Sequence, residues 1–216
     1  MSSTADQRAP LSERSILETL EAIGEEVPGE ASARLMMAAA DAFSDRGFHA
    51  TTTRDVASRA GLSPAGVYVH FASKEDLLFE LSRRGHVTAR DMLVAAAAAA
   101  DSPTEALRSI IGGFSRWHAE HHQLGRIVQH EFRHLSPEHR DVVLALRKQI
   151  DAVVRDVLED GVATGEFDVG DAAATALALL SIAVDVARWY DPEIRRTPDD
   201  IGRTNGDLAV RLVRRH

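Results

Sequence analysis

Residues 51–68 read Thr51-Thr52-Thr53-Arg54-Asp55-Val56-Ala57-Ser58-Arg59-Ala60-Gly61-Leu62-Ser63-Pro64-Ala65-Gly66-Val67-Tyr68. Thr52 with Asp55 three residues later has the form of a capping box, so a short helix opens at Thr53, and Gly61 can take the positive φ on which it ends. Ser63-Pro64 then opens a second helix, the serine as a side-chain cap and the proline with φ already set for the first helical position. Val56, Leu62 and Val67 face a common core, and Ala57 is small where the two helices cross. The stretch is a helix-turn-helix. Upstream, Leu35, Ala39, Ala42 and Phe43 recur at helical intervals up to Gly47-Phe48 and supply the wall on which the pair rests.

Outward from this unit the chain reads as helical almost throughout, because Ala, Leu, Glu and Arg dominate, apolar residues recur at three and four, and strand signals are missing. Ser73 with Asp76, Ser102-Pro103, Ser136-Pro137 and Thr197-Pro198 mark further helix starts. Helices are predicted over roughly 31–46, 53–60, 64–70, 74–100, 103–119, 122–134, 137–163, 170–190 and 198–214. The fold class is all-α: an amino-terminal three-helix helix-turn-helix domain joined to a larger helical effector and dimerisation domain. The boundaries expected are an acidic extension at 1–30, a DNA-binding domain at 31–78 and an effector domain at 79–216. Within the extension, Ile16, Leu17, Leu20 and Ile23 fall on one side of a stretch from Ser12 to Ile23, either an additional helix or a disordered segment.

The chain has 216 residues, 44% of them hydrophobic, enough to bury a real core, and a formal net charge of −8. That charge argues against coating nucleic acid through bulk electrostatics, but it is unevenly placed. Residues 1–30 carry two arginines against seven carboxylates, whereas residues 31–84 carry seven basic against six acidic side chains. A small, specific DNA contact fits the second segment. The absence of cysteine suits a reducing compartment. The opening residues lack a secretory apolar stretch and no apolar run is read as reaching membrane-spanning length, so a cytoplasmic protein with no membrane partner is expected.

Residues 34–81 resemble the DNA-binding domain of the TetR family. The resemblance is carried by Arg34-Leu35, Phe43, Gly47-Phe48, Thr51-Thr52, Asp55-Val56-Ala57, Ala60-Gly61-Leu62-Ser63, Tyr68-Val69-His70-Phe71 and Ser73-Lys74-Glu75-Asp76-Leu77-Leu78. Val69 is a departure, since the family often has a second aromatic there. The resemblance implies a recognition helix at 64–70 in the major groove, followed by a linking fourth helix. By position, Ser63, Ala65 and Gly66 face base edges, Tyr68 meets a thymine methyl or a phosphate, and Thr52, Thr53, His70 and Lys74 contact phosphates. Arg54 reaches backbone or base.

A competing signal is His130-Glu131-Phe132-Arg133-His134, which satisfies the H-E-x-x-H pattern of zinc hydrolases, two histidines on one helix face with a glutamate as base. Neither a downstream third ligand at the usual spacing nor a substrate platform accompanies it. A zinc-dependent hydrolase using 130–134 is therefore the alternative to a regulator, and an ancillary metal or pH-sensitive site drawn from His118, His122, His130 or His134 is a second. The preferred reading has no catalytic residue, cofactor or metal ligand.

For the effector half, a TetR-like architecture implies a ligand pocket walled by helices near 103–134 and 170–190. The candidate lining residues are Met92, Phe114, Trp117, His118, Phe132, Arg133 and Trp189. The stretches Gln129 to Arg140 and Arg188-Trp189-Tyr190-Asp191-Pro192 resemble TetR-like regulators of fatty-acid and sterol-ring catabolism, whose effectors are often acyl-CoA thioesters. By that resemblance Arg116, Arg126 or Arg133 would meet a CoA phosphate or the acyl carbonyl. The nearly all-apolar segment 171–190 and the last helix, with Leu208, Val210, Leu212 and Val213, suit a subunit interface. The expectation is a homodimer on a palindromic operator, a repressor released by a hydrophobic or acyl-CoA-type effector, with activation left open.

Overall fold

The structure, a computed structural model, describes residues 29–215. The amino-terminal extension, apart from its last two residues, and the candidate helix from Ser12 to Ile23 lie outside the described residues. Nine α-helices follow among the described residues: α1 (Glu30–Ala50), α2 (Thr53–Arg59), α3 (Pro64–His70), α4 (Lys74–Ala98), α5 (Pro103–Glu120), α6 (His122–His130), α7 (Pro137–Ala163), α8 (Ala172–Trp189) and α9 (Pro198–Val213). The fold is all-α, with helix starts where the caps place them. The side chains of Thr52, Ser63, Ser73, Ser102, Ser136, Asp171 and Thr197 each accept a hydrogen bond from the backbone N–H three residues on.

Two predicted boundaries need correction. The first helix runs past residue 46 because Gly47 takes φ 76° and kinks the chain instead of ending it, turning Phe48 back into the core against Phe43 with ring centroids 5.4 Å apart. The segment 122–134 is not one helix. α6 stops at His130, Glu131 caps it, and Phe132–His134 form a separate 3-10 turn.

Two buried clusters organise the chain. The first packs Leu35, Met36, Phe43, Val56, Val67 and Leu77 of α1–α4 together with Leu124, Ile127, Val128 and Val143 of α6 and α7, so the helix-turn-helix shares its core with the helices behind it. The second joins the far half of α4 to α5, α7, α8 and α9 through residues such as Leu93, Ile110, Phe114, Val154, Leu179 and Val213. α9 packs mainly on α5 and barely touches α8. The α5–α9 crossing is backbone on backbone: a Cβ on Gly202 would sit 2.7 Å from the Gly112 carbonyl oxygen, and one on Gly206 2.6 Å from that of Arg108. Beyond α9, a short antiparallel bridge of Phe167 with Arg214 pins the chain end.

Contrary to the expectation that no apolar run reaches spanning length, α8 is long and apolar enough, by length and composition, to cross a membrane, with 33% of it buried inside the chain. Its inner face packs on α5, α6 and α7; Leu177, at the cavity rim, and Ile182 are exposed, as are Leu208 and Leu212 of α9.

The glycine crossing gives a direct test. Gly202→Ala should lower the stability measured by urea unfolding by about 1–3 kcal/mol, since the new methyl meets backbone that cannot turn aside. Gly113→Ala, one residue from Gly112 on α5 with nothing within 4 Å of its Cβ, should instead stabilise by about 0.5–1 kcal/mol.

Candidate DNA-binding surface and effector cavity

α2 and α3 present one exposed surface. Arg54, Ser63, Ala65, Tyr68 and His70 are exposed, with Thr53 and Gly66 partly covered beside them. The Thr53 hydroxyl and the Tyr68 phenol lie 3.2 Å apart and tie the outer edges of the two helices. Thr52 is held by its capping box, its hydroxyl donating to Asp55 over 2.7 Å, and those hydrogen bonds hold the Asp55 carboxyl below its usual range. The Ser63 hydroxyl accepts from Gly66 N–H over 3.2 Å and keeps its own proton to donate outward. His70 Nδ1 lies 3.0 Å from the Ser32 hydroxyl at the start of α1. Val69, 79% exposed, belongs to the same surface although it had no expected role.

Lys74 differs from the expectation. Its ammonium does not point outward but donates to the carbonyls of Phe48 (2.5 Å) and Thr51 (2.7 Å) and sits 4.2 Å from the centroid of the Phe48 ring. It closes the carboxyl end of α1, and burial pushes its pKa down.

Behind this unit, α4–α8 line a partly open cavity of about 400 Å3, within the usual range for small-molecule sites. Phe114, Trp117 and His118 are among its lining residues. Met92, Phe132, Arg133 and Trp189 do not. Met92 packs into the second core, Phe132 packs beside the first, and Arg133 and Trp189 are exposed. The arginines proposed for a CoA phosphate or acyl carbonyl are also elsewhere. Arg126 donates to the carbonyls of Ala187 (2.7 Å) and Tyr190 (2.6 Å), closing the end of α8, and Arg116 faces Asp199 and Glu120 at the surface.

The polar lining comes largely from residues the sequence reading passed over: His86 on α4, Gln129 on α6, Arg147 and Asp151 on α7 and Ser181 on α8. A signal was present, because Arg147 lies within the buried stripe Val143, Leu146, Ile150 and Val154, where a charged residue is out of place. Arg147 Nε donates to His86 Nε2 over 3.1 Å, while His86 Nδ1 lies 2.7 Å from the Ser82 carbonyl. This pair of contacts suits a neutral ring protonated on Nδ1. His118 Nδ1 lies 2.9 Å from the Phe114 carbonyl, leaving its Nε2 lone pair unused. Burial is the main cause that pushes both imidazoles down from 6.5 to about 4.

The H-E-x-x-H segment forms a joint. Glu131 accepts the Phe48 backbone N–H over 3.2 Å through one oxygen, and its other oxygen lies 3.3 Å from His134 Nε2. The His134 ring stacks on Phe48 at 5.2 Å. Because α6 ends between them, His130 and His134 do not share a helix face. On the other side of the joint, Glu75 of α4 accepts Ser136 N–H over 2.7 Å and contacts His139 Nδ1 at 2.9 Å. Glu75, Asp76 and His139 are the one trio of possible metal-ligand atoms within 4.8 Å of each other among the described residues.

The family model for bacterial regulatory proteins of the tetR family matches residues 35–81, and the tetracyclin repressor-like C-terminal domain model matches residues 100–213. The chain belongs to the TetR family. It is thus a ligand-responsive, DNA-binding transcriptional regulator and not an enzyme, which sets aside the zinc-hydrolase alternative. Among curated relatives of this TetR-family chain, the HTH-type transcriptional repressor KstR2 of Mycobacterium tuberculosis is 30% identical over 186 residues, covering 82% of this chain and 91% of the relative. A crystal structure of a tetR-family bacterial regulatory protein from Rhodococcus RHA1 superposes with a TM-score of 0.81 at 34% identity, covering 86% of this chain and 98% of the other. AibR, solved in complex with isovaleryl coenzyme A and operator DNA, shares the fold with a TM-score of 0.74 at 21% identity, over 84% and 97% of the two chains.

The cavity histidines set a pH dependence. Between pH 6.5 and about 4 the unfolded chain binds more protons at His86 and His118 than the folded one, so stability falls as pH drops through that window. His118→Gln should therefore lose less stability than the parent between pH 7 and pH 5, by about 1–2 kcal/mol in paired urea titrations. Equal losses would mean that His118 is not buried in its neutral form.

Proposed function

We propose that this regulator is a cytoplasmic homodimeric repressor, released from a palindromic operator when an acyl-CoA-type effector places its acyl part in the α4–α8 cavity. The observation that carries the reading is the continuity of one wall. Leu124, Gly125, Val128 and Gln129 of α6 line the cavity, and the next turn supplies Glu131 to the Phe48 amide. A ligand that shifts α6 therefore moves the support of the helix-turn-helix. Gly125 makes α6 sensitive to such a shift: its Cβ position lies 2.8 Å from the Ala187 methyl, so α6 rests directly on α8.

The DNA-binding residues in this reading are Thr52, Thr53, Arg54, Ser63, Ala65, Gly66, Tyr68 and His70, with Val69 added from its exposure and Lys74 reassigned to holding the end of α1. The effector-binding residues are Phe114, Trp117 and His118, joined by His86, Gln129 and Arg147. The DNA-binding unit spans 31–78 and the effector unit 79–216. The exposed apolar faces of α8 and α9 are the proposed subunit interface, which spaces two recognition helices one turn of DNA apart. Support for the repressor assignment comes from KstR2, and support for a thioester effector from the ligand held by AibR on the same fold.

Anisotropy titration on the DNA upstream of the protein's own gene, at two salt concentrations and with a panel of acyl-CoAs, tests the reading. Salt-sensitive binding that one thioester releases is expected. Arg54→Ala and Tyr68→Ala should each weaken operator binding about 10-fold or more without changing the melting temperature. Tighter operator binding in the presence of every thioester that binds would contradict release.

A further inference from the structure

We propose that the part of the effector entering the cavity carries an oxygen acceptor for the Arg147 guanidinium, so that the protein responds to an oxygenated acyl group, ketone- or carboxylate-bearing, and not to a plain hydrocarbon chain. The inference rests on reading the α4–α8 cavity as the effector site.

Arg147 occupies a position that a core residue would fill. It lies in the inward stripe of α7, its guanidinium is stacked 4.3 Å from the centroid of the Phe132 ring, and it lines the cavity. Of its five N–H groups, the one on Nε is used by His86. Among the described residues no carboxylate lies within ion-pair distance of it. Asp151, four residues along α7 on the same cavity wall, exerts no resolved influence on it, and burial alone pushes its pKa down. The guanidinium is held in place by an uncharged imidazole, without a counter-charge.

The Arg147 guanidinium is half-buried, and without a counter-charge it is tolerated while water fills the space beside it. An acyl chain that fills the cavity removes that water. A hydrocarbon would leave the remaining N–H groups unpaired, whereas a ketone or carboxylate oxygen would accept a charge-assisted hydrogen bond from them. His118 adds to the pattern. It is buried, its Nδ1 is used by the Phe114 carbonyl, and its Nε2 lone pair is left in the cavity wall to accept a hydrogen bond from a ligand hydroxyl or bound water. A site built only for a hydrocarbon would carry neither group, and the mismatch penalises the ligand that lacks the oxygen more than it rewards any extra methylene.

Isothermal titration of the full-length protein decides the matter, using straight-chain alkanoyl-CoAs, oxoalkanoyl-CoAs and ω-carboxyalkanoyl-CoAs of matched length, together with the corresponding free acids. The parent protein is expected to prefer oxygenated ligands over plain ones by about 10–100-fold. Arg147→Met, which keeps the apolar stem and removes the charge, should abolish that preference by weakening the oxygenated ligands about 10-fold or more, its fold checked by circular dichroism and melting temperature. The arm that loses more, ketone or carboxylate, identifies the oxygen that Arg147 reads. Equal affinity for plain and oxygenated thioesters in the parent, or an unchanged preference in Arg147→Met, overturns the inference and leaves the thioester reading intact. Binding of free oxygenated acids with no thioester bound removes the thioester reading and supports this one. Failure of every oxygenated compound, thioester or free, overturns it. Should Arg147→Met melt early, the parent's preference alone decides.

Discussion

The Phe48 amide is the group on which the joint between the two halves depends. Gly47 turns the chain through a positive φ, so the N–H of Phe48 and the carbonyls of Phe48 and Thr51 lose helical partners where the chain folds back into the core. Buried backbone groups must find partners elsewhere. Glu131, from the cap of α6, accepts the amide, and Lys74, from the start of α4, donates to the two carbonyls. The end of α1 is thus completed by one side chain from behind the DNA-binding unit and one from the helix that leads out of it. The Glu75 contacts with Ser136 and His139 fasten the other side.

These fastenings determine which parts of the effector half can move relative to the rest. α5 and α9 cross through Gly112, Gly202 and Gly206 at backbone contact and form a rigid base with no room for sliding. α6 is different: it has nine residues, ends in a 3-10 turn, forms a cavity wall and contributes Leu124, Ile127 and Val128 to the first buried cluster. In the proposed mechanism it is the two-state element, and an effector acts by favouring the position of α6 that the operator-bound form disfavours. The exposed surface of α2 and α3 need not change internally, because its side chains are tied locally, Thr53 to Tyr68 and Thr52 to Asp55.

The all-α fold was legible in the sequence because its signals are local. Capping side chains followed by proline or an acidic residue mark helix starts within a few positions, and Gly61, at φ 68°, adopts the turn its neighbours required. Signals that depend on tertiary placement were not legible. The pattern His130 to His134 has the spacing of a helical ligand pair, yet Glu131 is drawn to the Phe48 amide and the helix ends there. Aromatic identity together with the helix spans expected to wall a pocket points to Trp189 and Phe132, yet Trp189 is exposed at the end of α8 and Phe132 lies against Arg147. The most informative lining residue, Arg147, carries a charge that ordinarily marks a surface position, and only its place along a buried stripe points inward.

The most direct measurement of the coupling is the effector dissociation constant for the free protein and for the same protein saturated with operator DNA. Reciprocity requires that an effector which weakens operator binding by a given factor binds the operator-bound protein more weakly by that same factor. A coupling of about 10-fold or more is expected, greatly reduced in Glu131→Ala if α6 acts through the Phe48 amide. Identical effector affinity in the free and operator-bound states would contradict the account, because a ligand that does not distinguish the two states cannot shift the balance between them.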